Sequence, residues 1–528
     1  MPNLFTTFKS WAQHLGLTIV FLRHVAYAAP ADIGSIITQA RVQQMKQSIN
    51  NNLGDSCCTL LKLGLGSLVS TPGSTTYQSS TSSYFSSQAQ SVDPWCVVSP
   101  STTLEVSHTV GTLNLLRVLG LQCQFAARSG GHTPWAGAAT IQNGVQIDLS
   151  AINQVTIAVN QKTTFIGPGA RWLDVYMKLD AMSLTVPGGR AATVGVGGLV
   201  TGGGISFFSG RYGFTADNVV KFEVVLYDGS VVTASASSRP DLFYALKGGS
   251  NNFGIVTRFD LVTFSCGNFW GGAVVWPISA KTESLAAFVK FTGQANYDVY
   301  GALIHTYSWS AANGGWIIAN NMEYTKPVVN PPVFQEFMTI QPQYVSTMRI
   351  SNLSDFTLEI AASNAGSRKQ LFYTSTWSND LQTLVDIVEL SEQYLQTVAS
   401  VAGLEWSLSL QPLVAAITTK SAATGGNPLG LDGSDGNLIL SLITASWTNT
   451  ADDAAVLAAV SEFYAAADAL AASRGKLDSY KYLNYAYETQ DPIKGYGTAN
   501  VAKLRAISNK YDPAGVFQTL VPGGWKLW

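Results

Sequence analysis

Two glycine-dense segments constrain the fold of this chain more than any other feature. The first is Arg128-Ser-Gly-Gly-His-Thr-Pro-Trp-Ala-Gly137, and the second is Gly195-Val-Gly-Gly-Leu-Val-Thr-Gly-Gly-Gly204. Because glycine tolerates backbone angles that other residues avoid, such segments can present several N–H groups to an anionic ligand. A predicted strand over 123–128 runs directly into the first segment. We therefore expect His132 in a turn at a sheet edge, beside a backbone cradle.

Composition and charge narrow the classes of protein to which the chain can belong. Its 528 residues are 46% hydrophobic and 12% charged, which is enough for a large core and more than one domain. The formal net charge is −2, so no basic surplus is available to neutralise nucleic-acid phosphates or an anionic membrane. The sequence therefore predicts a globular protein with neither nucleic acid nor membrane as a partner.

The N-terminal residues have the pattern of a secretory leader. An apolar run, Leu15–Leu22, is followed by Ala26-Tyr-Ala28, the small-x-small pattern of a signal-peptidase site. We interpret residues 1–28 as a signal peptide, the alternative being an amphipathic first helix. No other stretch is apolar and long enough to suggest a membrane span. Asn352-Leu-Ser354 is an N-glycosylation sequon, which is modified only if the chain enters the secretory pathway.

The cysteines predict disulfide chemistry rather than a metal site. The five cysteines include no Cys-x-x-Cys pair, so the spacing of a zinc site is absent from the sequence. In an oxidising compartment Cys57 or Cys58 could bridge to Cys96. The alternative, of about equal weight for Cys123 and Cys266, is that the cysteines are buried thiols.

The order of predicted elements indicates an α+β protein in two parts. Residues 29–265 contain short strands around the glycine segments, and from about 266 to 476 broad strands alternate with long helices. We expect this second part to be a separate domain, an antiparallel sheet covered by helices, and the tail 477–528 to return to the first part.

Several further motifs, in a specific order, resemble those of the berberine-bridge-enzyme-like proteins, which are FAD-linked oxidoreductases of the vanillyl-alcohol-oxidase type. Besides the two glycine segments they are Tyr212-Gly-Phe-Thr-Ala-Asp-Asn218, Leu246-Lys-Gly-Gly-Ser-Asn-Asn-Phe-Gly254, Tyr482-Leu-Asn-Tyr485, Tyr511-Asp-Pro513 and Val516-Phe517. The resemblance covers nearly the whole chain after residue 28. It is strongest to the fungal biosynthetic members of the family. It implies an FAD-binding domain made from residues 29–265 and 477–528, with a substrate domain between them.

The resemblance also implies how the flavin is attached. The histidine that matches His132 forms a bond from an imidazole nitrogen to the 8α carbon of the flavin, which raises the flavin's reduction potential. Many relatives add a second bond, from a cysteine, at the position we assign to Gly195, and Leu199 replaces their usual histidine. We therefore expect FAD with a single covalent link, and a cavity that differs from that of the oligosaccharide oxidases.

Further cofactor contacts are expected mainly from backbone groups. Gly137 is expected to supply an unusual backbone angle. Arg128 is expected either to contribute a charge or to form a surface ion pair. Ile255 and Val256 are expected either to contact the adenine or to belong to a plain core strand. The remaining predicted cofactor residues are Ser129, Gly130, Gly131, Pro187, Gly188, Gly189, Thr193, Gly197, Gly198, Thr201, Gly202, Gly203, Gly204, Asp217, Asn218 and Asn484.

The catalytic base is expected in the tail. If Tyr482-Leu-Asn-Tyr485 is a strand, its two tyrosines face opposite ways, and only one of them points at a given pocket. By resemblance Tyr485 is the first choice for the base that removes a hydroxyl proton, and Tyr482 the second. A packed aromatic strand is the structural alternative. On the substrate side, His305 and Gln411 are the candidates.

These residues together predict an oxidase. A small organic substrate would give hydride to flavin N5, a tyrosine would take the proton, and dioxygen would accept the electrons. The alternatives are a flavin-dependent dehydrogenase or oxidative cyclase, and a flavin-loaded binding protein without turnover. The sequence does not identify the substrate.

Overall fold

The computed structural model describes residues 53–363 and 366–528. The proposed leader, residues 1–28, lies outside the described residues. The α+β class predicted from the sequence is confirmed by the alternation of helices and strands along the chain. The strands are β1 Val69–Ser70, β2 Cys96–Val98, β3 Phe125–Arg128, β4 Val145–Asp148, β5 Val155–Ile157, β6 Thr163–Ile166, β7 Leu184–Thr185, β8 Val219–Val225, β9 Val231–Ser235, β10 Ile255–Val262, β11 Phe264–Ser265, β12 Phe269–Pro277, β13 Gly301–Ser310, β14 Gly315–Tyr324, β15 Val345–Ser346, β16 Arg349–Ser351, β17 Lys369–Ser378, β18 Glu405–Leu413, β19 Leu438–Trp447 and β20 Leu477–Asp478.

The helices range from single turns of four residues to the 21 residues of Asp453–Ser473. Local signals set several of their starts: Thr102 and Glu105 form a capping box, and the Asp380 side chain accepts from the N–H of Thr383. The α-helices are Leu53–Leu65, Thr75–Ser82, Ser87–Gln90, Thr103–Val118, Trp172–Asp180, Val196–Thr201, Ser209–Tyr212, Pro240–Ala245, Lys281–Thr292, Gln335–Thr339, Leu353–Ala362, Leu381–Gln396, Ala415–Thr418, Asp453–Ser473, Thr498–Tyr511 and Val516–Thr519.

Two sheets carry the first glycine segment and its surroundings. In the order β1-β2-β4-β3, the central pairings β2 with β4 and β3 with β4 are parallel, and the first glycine segment leaves the end of β3. A second, antiparallel sheet has the order β5-β6-β10-β8-β9. Residues of the tail pack into both hydrophobic cores of this half: Tyr480 and Tyr482 into one, Val516 and Phe517 into the other. The tail therefore completes the N-terminal half.

The middle of the chain forms one large antiparallel sheet, here called the central sheet. Its order is β15-β12-β14-β13-β18-β19-β17-β20, with β16 pairing with β12. One face is covered by the helices Lys281–Thr292, Leu381–Gln396 and Asp453–Ser473, whose apolar side chains share one core with alternate residues of the strands. Because side chains of a strand alternate between faces, the other set of residues points away from these helices, toward the N-terminal half.

The long alanine-rich helix is a core element of the central sheet. By length and apolar composition, Thr450–Ser473 is the segment of the described chain that could cross a membrane. The sequence predicts an alanine-rich helix over 452–474 but no membrane span there; its alanines make the helix apolar over its whole length. Val460, Phe463 and Tyr464 are nevertheless buried against the sheet, as in the core helix of a globular protein.

Two disulfides fasten the first helix to the N-terminal sheet. Cys58 pairs with Cys96, one of the two alternatives considered from the sequence, and Cys57 pairs with Cys123, which the sequence analysis did not anticipate. Within the described residues, Cys266 is the one free cysteine. The adjacent cysteines of the helix Leu53–Leu65 thus reach two partners, Cys96 at the start of β2 and Cys123 two residues before β3.

Candidate functional site

A cavity of about 760 Å³ lies between the N-terminal half and the exposed face of the central sheet. Both glycine segments, the tail and six strands of the central sheet contribute to its wall. The predicted site residues that line it are Ser129, Gly130, Gly131, His132, Gly195, Gly197, Gly198, Thr201, Ile255, Val256, Gln411, Tyr482, Asn484 and Tyr485. The structure thus brings residues separated by more than 350 positions to one place.

The two glycine segments meet backbone to backbone. A Cβ atom added to Gly195 would lie 2.4 Å from the Gly130 nitrogen, and one added to Gly130 would lie 2.5 Å from the Gly195 Cα. The hydroxyl of Ser129 accepts from the Gly197 N–H at 3.0 Å and ties the segments together. Glycine is therefore required at both positions by close approach, and Gly131 is required for a second reason, its positive φ of 64°.

We expect Gly195→Ala to lower the thermal stability of the protein. The added methyl must displace the Gly130 backbone, and overpacking of this kind costs about 1–3 kcal/mol. Gly198→Ala is the matched control in the same helix, since its Cβ would meet nothing within 4 Å and alanine favours a helix. Thermal unfolding of both variants compares them; equal midpoints would contradict the close approach.

The same contact corrects the assignment of Gly195 as the position of a missing cysteine. No side chain fits there without movement of backbone, so Gly195 does not leave free space next to the cofactor. Among the described residues that line the cavity there is no cysteine, so none of them can supply a second thioether bond.

His132 lies at the cavity wall in a defined orientation. Its ring stacks on Phe85 with centroids 4.0 Å apart, and its Nε2 is 3.1 Å from the Thr193 hydroxyl. Arg171 donates to the Thr193 carbonyl and so lies close to the same imidazole. Burial, together with the charge of Arg171, lowers the pKa of His132 to about 4. The imidazole is therefore neutral at pH 7 and keeps a nitrogen lone pair.

The tyrosines of the tail do not lie on a strand. Leu483–Tyr485 is a turn of 3₁₀ helix, so the period-two prediction is wrong and both phenols line the cavity, with their rings 4.7 Å apart. The Tyr482 oxygen accepts from the N–H of Ile205 and from the Asn484 amide, each at 3.0 Å. Burial raises the pKa of Tyr482 above its ordinary value. Tyr482 is thus a buried, hydrogen-bonded phenol.

Tyr485 has the surroundings of a proton acceptor. Its hydroxyl donates to Gln411 Oε1 at 3.3 Å and accepts from an Arg190 Nη2–H at 2.8 Å. Arg190 also donates to Gln411, so the three side chains form a closed triangle at the wall. A guanidinium donor therefore lies directly beside the phenol oxygen on the cavity wall.

A second group of predicted cofactor residues does not line the cavity, although Thr193 contacts His132. These residues are Arg128, Gly137, Pro187, Gly188, Gly189, Thr193, Gly202, Gly203, Gly204, Asp217 and Asn218. Gly188 and Gly189 approach the Trp172 ring instead, and a Cβ on Gly202 would collide with the Asn484 amide. Gly188, Gly189 and Gly202 thus support close packing of the wall, whereas Gly137 has the unusual backbone angle expected of it, a φ of 97°.

The charged and amide members of this group have structural partners. Arg128 is buried, forms an ion pair with Asp148 at 3.5 Å and lies over the Tyr84 ring. The Asp217 carboxylate accepts from Phe214 N–H and from Asn427, and the Asn218 amide donates to two backbone carbonyls. The prediction that Asp217 and Asn218 contact the cofactor is therefore not supported by their position.

His305 lies on the wrong face of the central sheet for a substrate role. Its Nδ1 is 2.6 Å from Asn320 Oδ1, and its ring stacks on Phe288 of a covering helix. Its strand neighbours Ile304 and Thr306 line the cavity, so alternation sends His305 to the helix-covered side. Burial lowers the pKa of His305 to about 4, as for a neutral core histidine.

Sequence reasoning missed several residues that shape the site. Arg190 directly follows the predicted run Pro187-Gly-Gly. A charged residue next to glycines could have indicated a residue of the site. Phe85 lies in a Ser/Thr-rich stretch and carried no such signal. At the far end of the cavity are Asn251 and Trp525, the latter with a buried indole N–H that has no partner. Only the return of the tail brings Trp525 there.

The lining fits an FAD-sized ligand. Its lining combines the glycine cradle, the orphaned Trp525 donor, His132 and the Tyr485 triangle in one cavity. The described residues contain no group of three or more His, Cys, Asp or Glu arranged to hold a metal ion.

Comparisons with known proteins agree with this reading of the cavity. Residues 94–235 match the family model of an FAD binding domain. An FAD-dependent monooxygenase of Emericella nidulans is 39% identical over 90% of this chain and 99% of its own length. The fold is similar to that of 6-hydroxy-D-nicotine oxidase from Arthrobacter nicotinovorans, with a TM-score of 0.71, 18% identity and coverage of 85% of this chain and 96% of that one. It is also similar to a berberine bridge enzyme variant bound to (S)-reticuline, with a TM-score of 0.70, 15% identity and coverage of 90% and 98%.

Proposed function

Because the chain belongs to the berberine-bridge-enzyme-like family of FAD-linked oxidoreductases, we propose that it is an FAD-dependent oxidase of small-molecule biosynthesis. The observation that carries the proposal is the Arg190–Tyr485–Gln411 triangle on the cavity wall. A proton acceptor with a cation beside it is what oxidation of an alcohol or amine requires.

Each member of the triangle has a separate task. Tyr485 would act as a phenolate whose charge Arg190 faces; its oxygen takes the proton of the substrate hydroxyl or amine and becomes a neutral phenol, and Gln411 holds both side chains in place. When bound, FAD would supply the two-electron acceptor for the substrate and the reactivity toward dioxygen. Tyr482 and Asn484 fix the wall beside it, because their mutual hydrogen bond extends to the Leu199 carbonyl.

A single covalent bond between His132 and the flavin is part of this proposal. Stacking on Phe85 and the contact with Thr193 fix the orientation of the ring. The neutral imidazole has the free lone pair that bond formation needs. The lack of a cysteine among the described lining residues supports one link rather than two.

Monooxygenation is a second candidate, since the fungal relative at 39% identity is named a monooxygenase. We expect an oxidase to release one peroxide per substrate oxidised and to leave the product without label from ¹⁸O₂. Mass spectrometry of the product and peroxide assay distinguish the two candidates. Flavin reduction without peroxide would indicate a dehydrogenase, and no bleaching with any substrate a binding protein. Ring closure in the product would indicate an oxidative cyclase.

The secretory pathway is the compartment we propose, with residues 1–28 as its leader. Two disulfides among the described residues support this, because such bonds persist in oxidising compartments. Asn352 is exposed and caps the helix Leu353–Ala362 through its Oδ1, which accepts from the Asp355 N–H at 3.0 Å. A glycan on Nδ2 leaves that cap intact.

We expect Asn352 to carry one N-glycan when the chain is secreted from a fungal host. Enzymatic deglycosylation followed by mass measurement detects it. Asn352→Asp is the matched variant, since it keeps a capping oxygen and removes the acceptor amide. An unchanged mass before and after deglycosylation would argue against this route.

A further inference from the structure

The cavity face of the central sheet has a regular pattern of side chains. Going outward from the Tyr485 triangle, the residues of β18 that line the cavity are Gln411, Ser409, Ser407 and Glu405. Six residue steps of strand span about 20 Å. The neighbouring strands continue each row: Thr306 and Leu442 flank Ser409, Ser308 and Thr444 flank Ser407, and Ser310 and Ser446 flank Glu405. We call this surface the hydroxyl floor.

Hydroxyl groups of the floor are paired in a way that leaves hydrogen-bonding capacity unused. The Thr306 and Ser409 oxygens are 2.9 Å apart, and so are those of Ser308 and Ser407. One proton is used within each pair, so each pair retains one further proton and several lone pairs. The floor can therefore both donate to and accept from a ligand, at two places about 7 Å apart.

The floor is flat and has no net charge of its own. Toward β14 the rows end in Ala319 and Ile317, so no large side chain rises beside the hydroxyl pairs. Toward β17 the Ser407 row continues through Thr444 to Phe372, an aromatic side chain that also lines the cavity. Glu405 at the outer end forms an ion pair with Arg368 at 2.7 Å. A neutral, planar molecule fits these properties.

From this arrangement we propose that the substrate is a neutral, flat molecule of two or more fused rings that carries hydroxyl or carbonyl oxygens along its length. Its reacting group lies at Tyr485, and its other oxygens bind the Thr306–Ser409 and Ser308–Ser407 pairs. The spacing of the pairs is comparable to that of oxygens across two fused six-membered rings. This inference rests on the proposed function only for the position of the reacting end.

Ligand binding to the flavin-loaded protein tests the inference without turnover. Difference absorbance of the flavin is measured under nitrogen with 2,7-dihydroxynaphthalene, cellobiose and resorcinol as probes. We expect saturable binding of the two-ring probe, no response to cellobiose, and about tenfold weaker binding of the two-ring probe to Ser407→Ala/Ser409→Ala. Ser461→Ala, on a covering helix away from the cavity, is the control and should bind as the parent protein does.

A second variant separates recognition from misfolding. Ser308→Leu fills the second row of the floor, so it should weaken the two-ring probe more than tenfold while resorcinol, which reaches only the Tyr485 end, binds as before. Response to cellobiose alone, no response to 2,7-dihydroxynaphthalene, or unchanged binding in the serine variants would each overturn the inference. Binding of the two-ring probe with no oxidation of any substrate would instead count against the proposed function alone.

Discussion

Replacing Tyr485 with phenylalanine should slow reduction of the flavin by substrate about 100- to 10,000-fold, the usual contribution of a general base. The ring still fits, because its contacts with Phe372 and Tyr482 are aromatic and do not need the hydroxyl. The variant loses the oxygen that accepts from Arg190 and donates to Gln411. Stopped-flow absorbance under nitrogen gives the rate directly, apart from the reaction with dioxygen.

Tyr482→Phe is the matched control for this experiment. Its phenol is buried and accepts hydrogen bonds from Ile205 and Asn484, so its loss should affect stability more than the rate of flavin reduction. Arg190→Met should slow the reaction in the same direction as Tyr485→Phe, since it removes the cation that stabilises the phenolate. If Tyr485→Phe reduced its flavin at the parent rate, the base would have to be another group.

Replacing His132 with alanine should abolish covalent attachment of the flavin. Acid precipitation of the parent protein should leave the yellow colour in the pellet, whereas the variant should release it into the supernatant. The physical reason is the neutral imidazole at the wall, which has a free lone pair and a fixed orientation. Free flavin from the parent protein would refute the link itself.

Thr193→Val tests how the ring is held. Valine keeps the shape of the side chain and removes the hydroxyl that lies 3.1 Å from Nε2, so the attached fraction should fall while FAD still binds. Because the pKa of His132 is lowered to about 4, attachment in the parent protein should be independent of pH above about pH 5 and fall as the imidazole becomes protonated near pH 4. A fraction unchanged in Thr193→Val would leave Phe85 as the positioning contact.

The sequence predicted best the residues whose role depends on local backbone conformation. The glycine segments need close approach and positive φ, requirements visible in the residue types themselves, and Gly130, Gly131 and Gly195 meet them. The assignment of Gly195 as a vacant cysteine position was wrong for the same reason. Its role is set by a neighbour 65 residues away, which local sequence does not reveal.

The sequence could not predict which face of a strand lines the cavity. His305 and Gln411 were equal candidates, yet His305 points into the helix-covered core and Gln411 into the cavity. Alternation predicts that neighbours face opposite ways, but it does not say which face will be covered by helices. The prediction that only one tail tyrosine faces the pocket was wrong for a similar reason. The 3₁₀ turn at Leu483–Tyr485 brings both phenols to the cavity.

The sequence by itself determined the backbone cradle, the histidine beside it, the α+β class and the resemblance to an FAD-linked family, since each of these depends on residue types at short spacing. Only the tertiary structure decided that Arg190 joins Tyr485, that Trp525 closes the far end and that a hydroxyl floor lines the substrate side. The reason is that these contacts join distant segments, and their partners are chosen by packing of the tail and the central sheet rather than by local sequence.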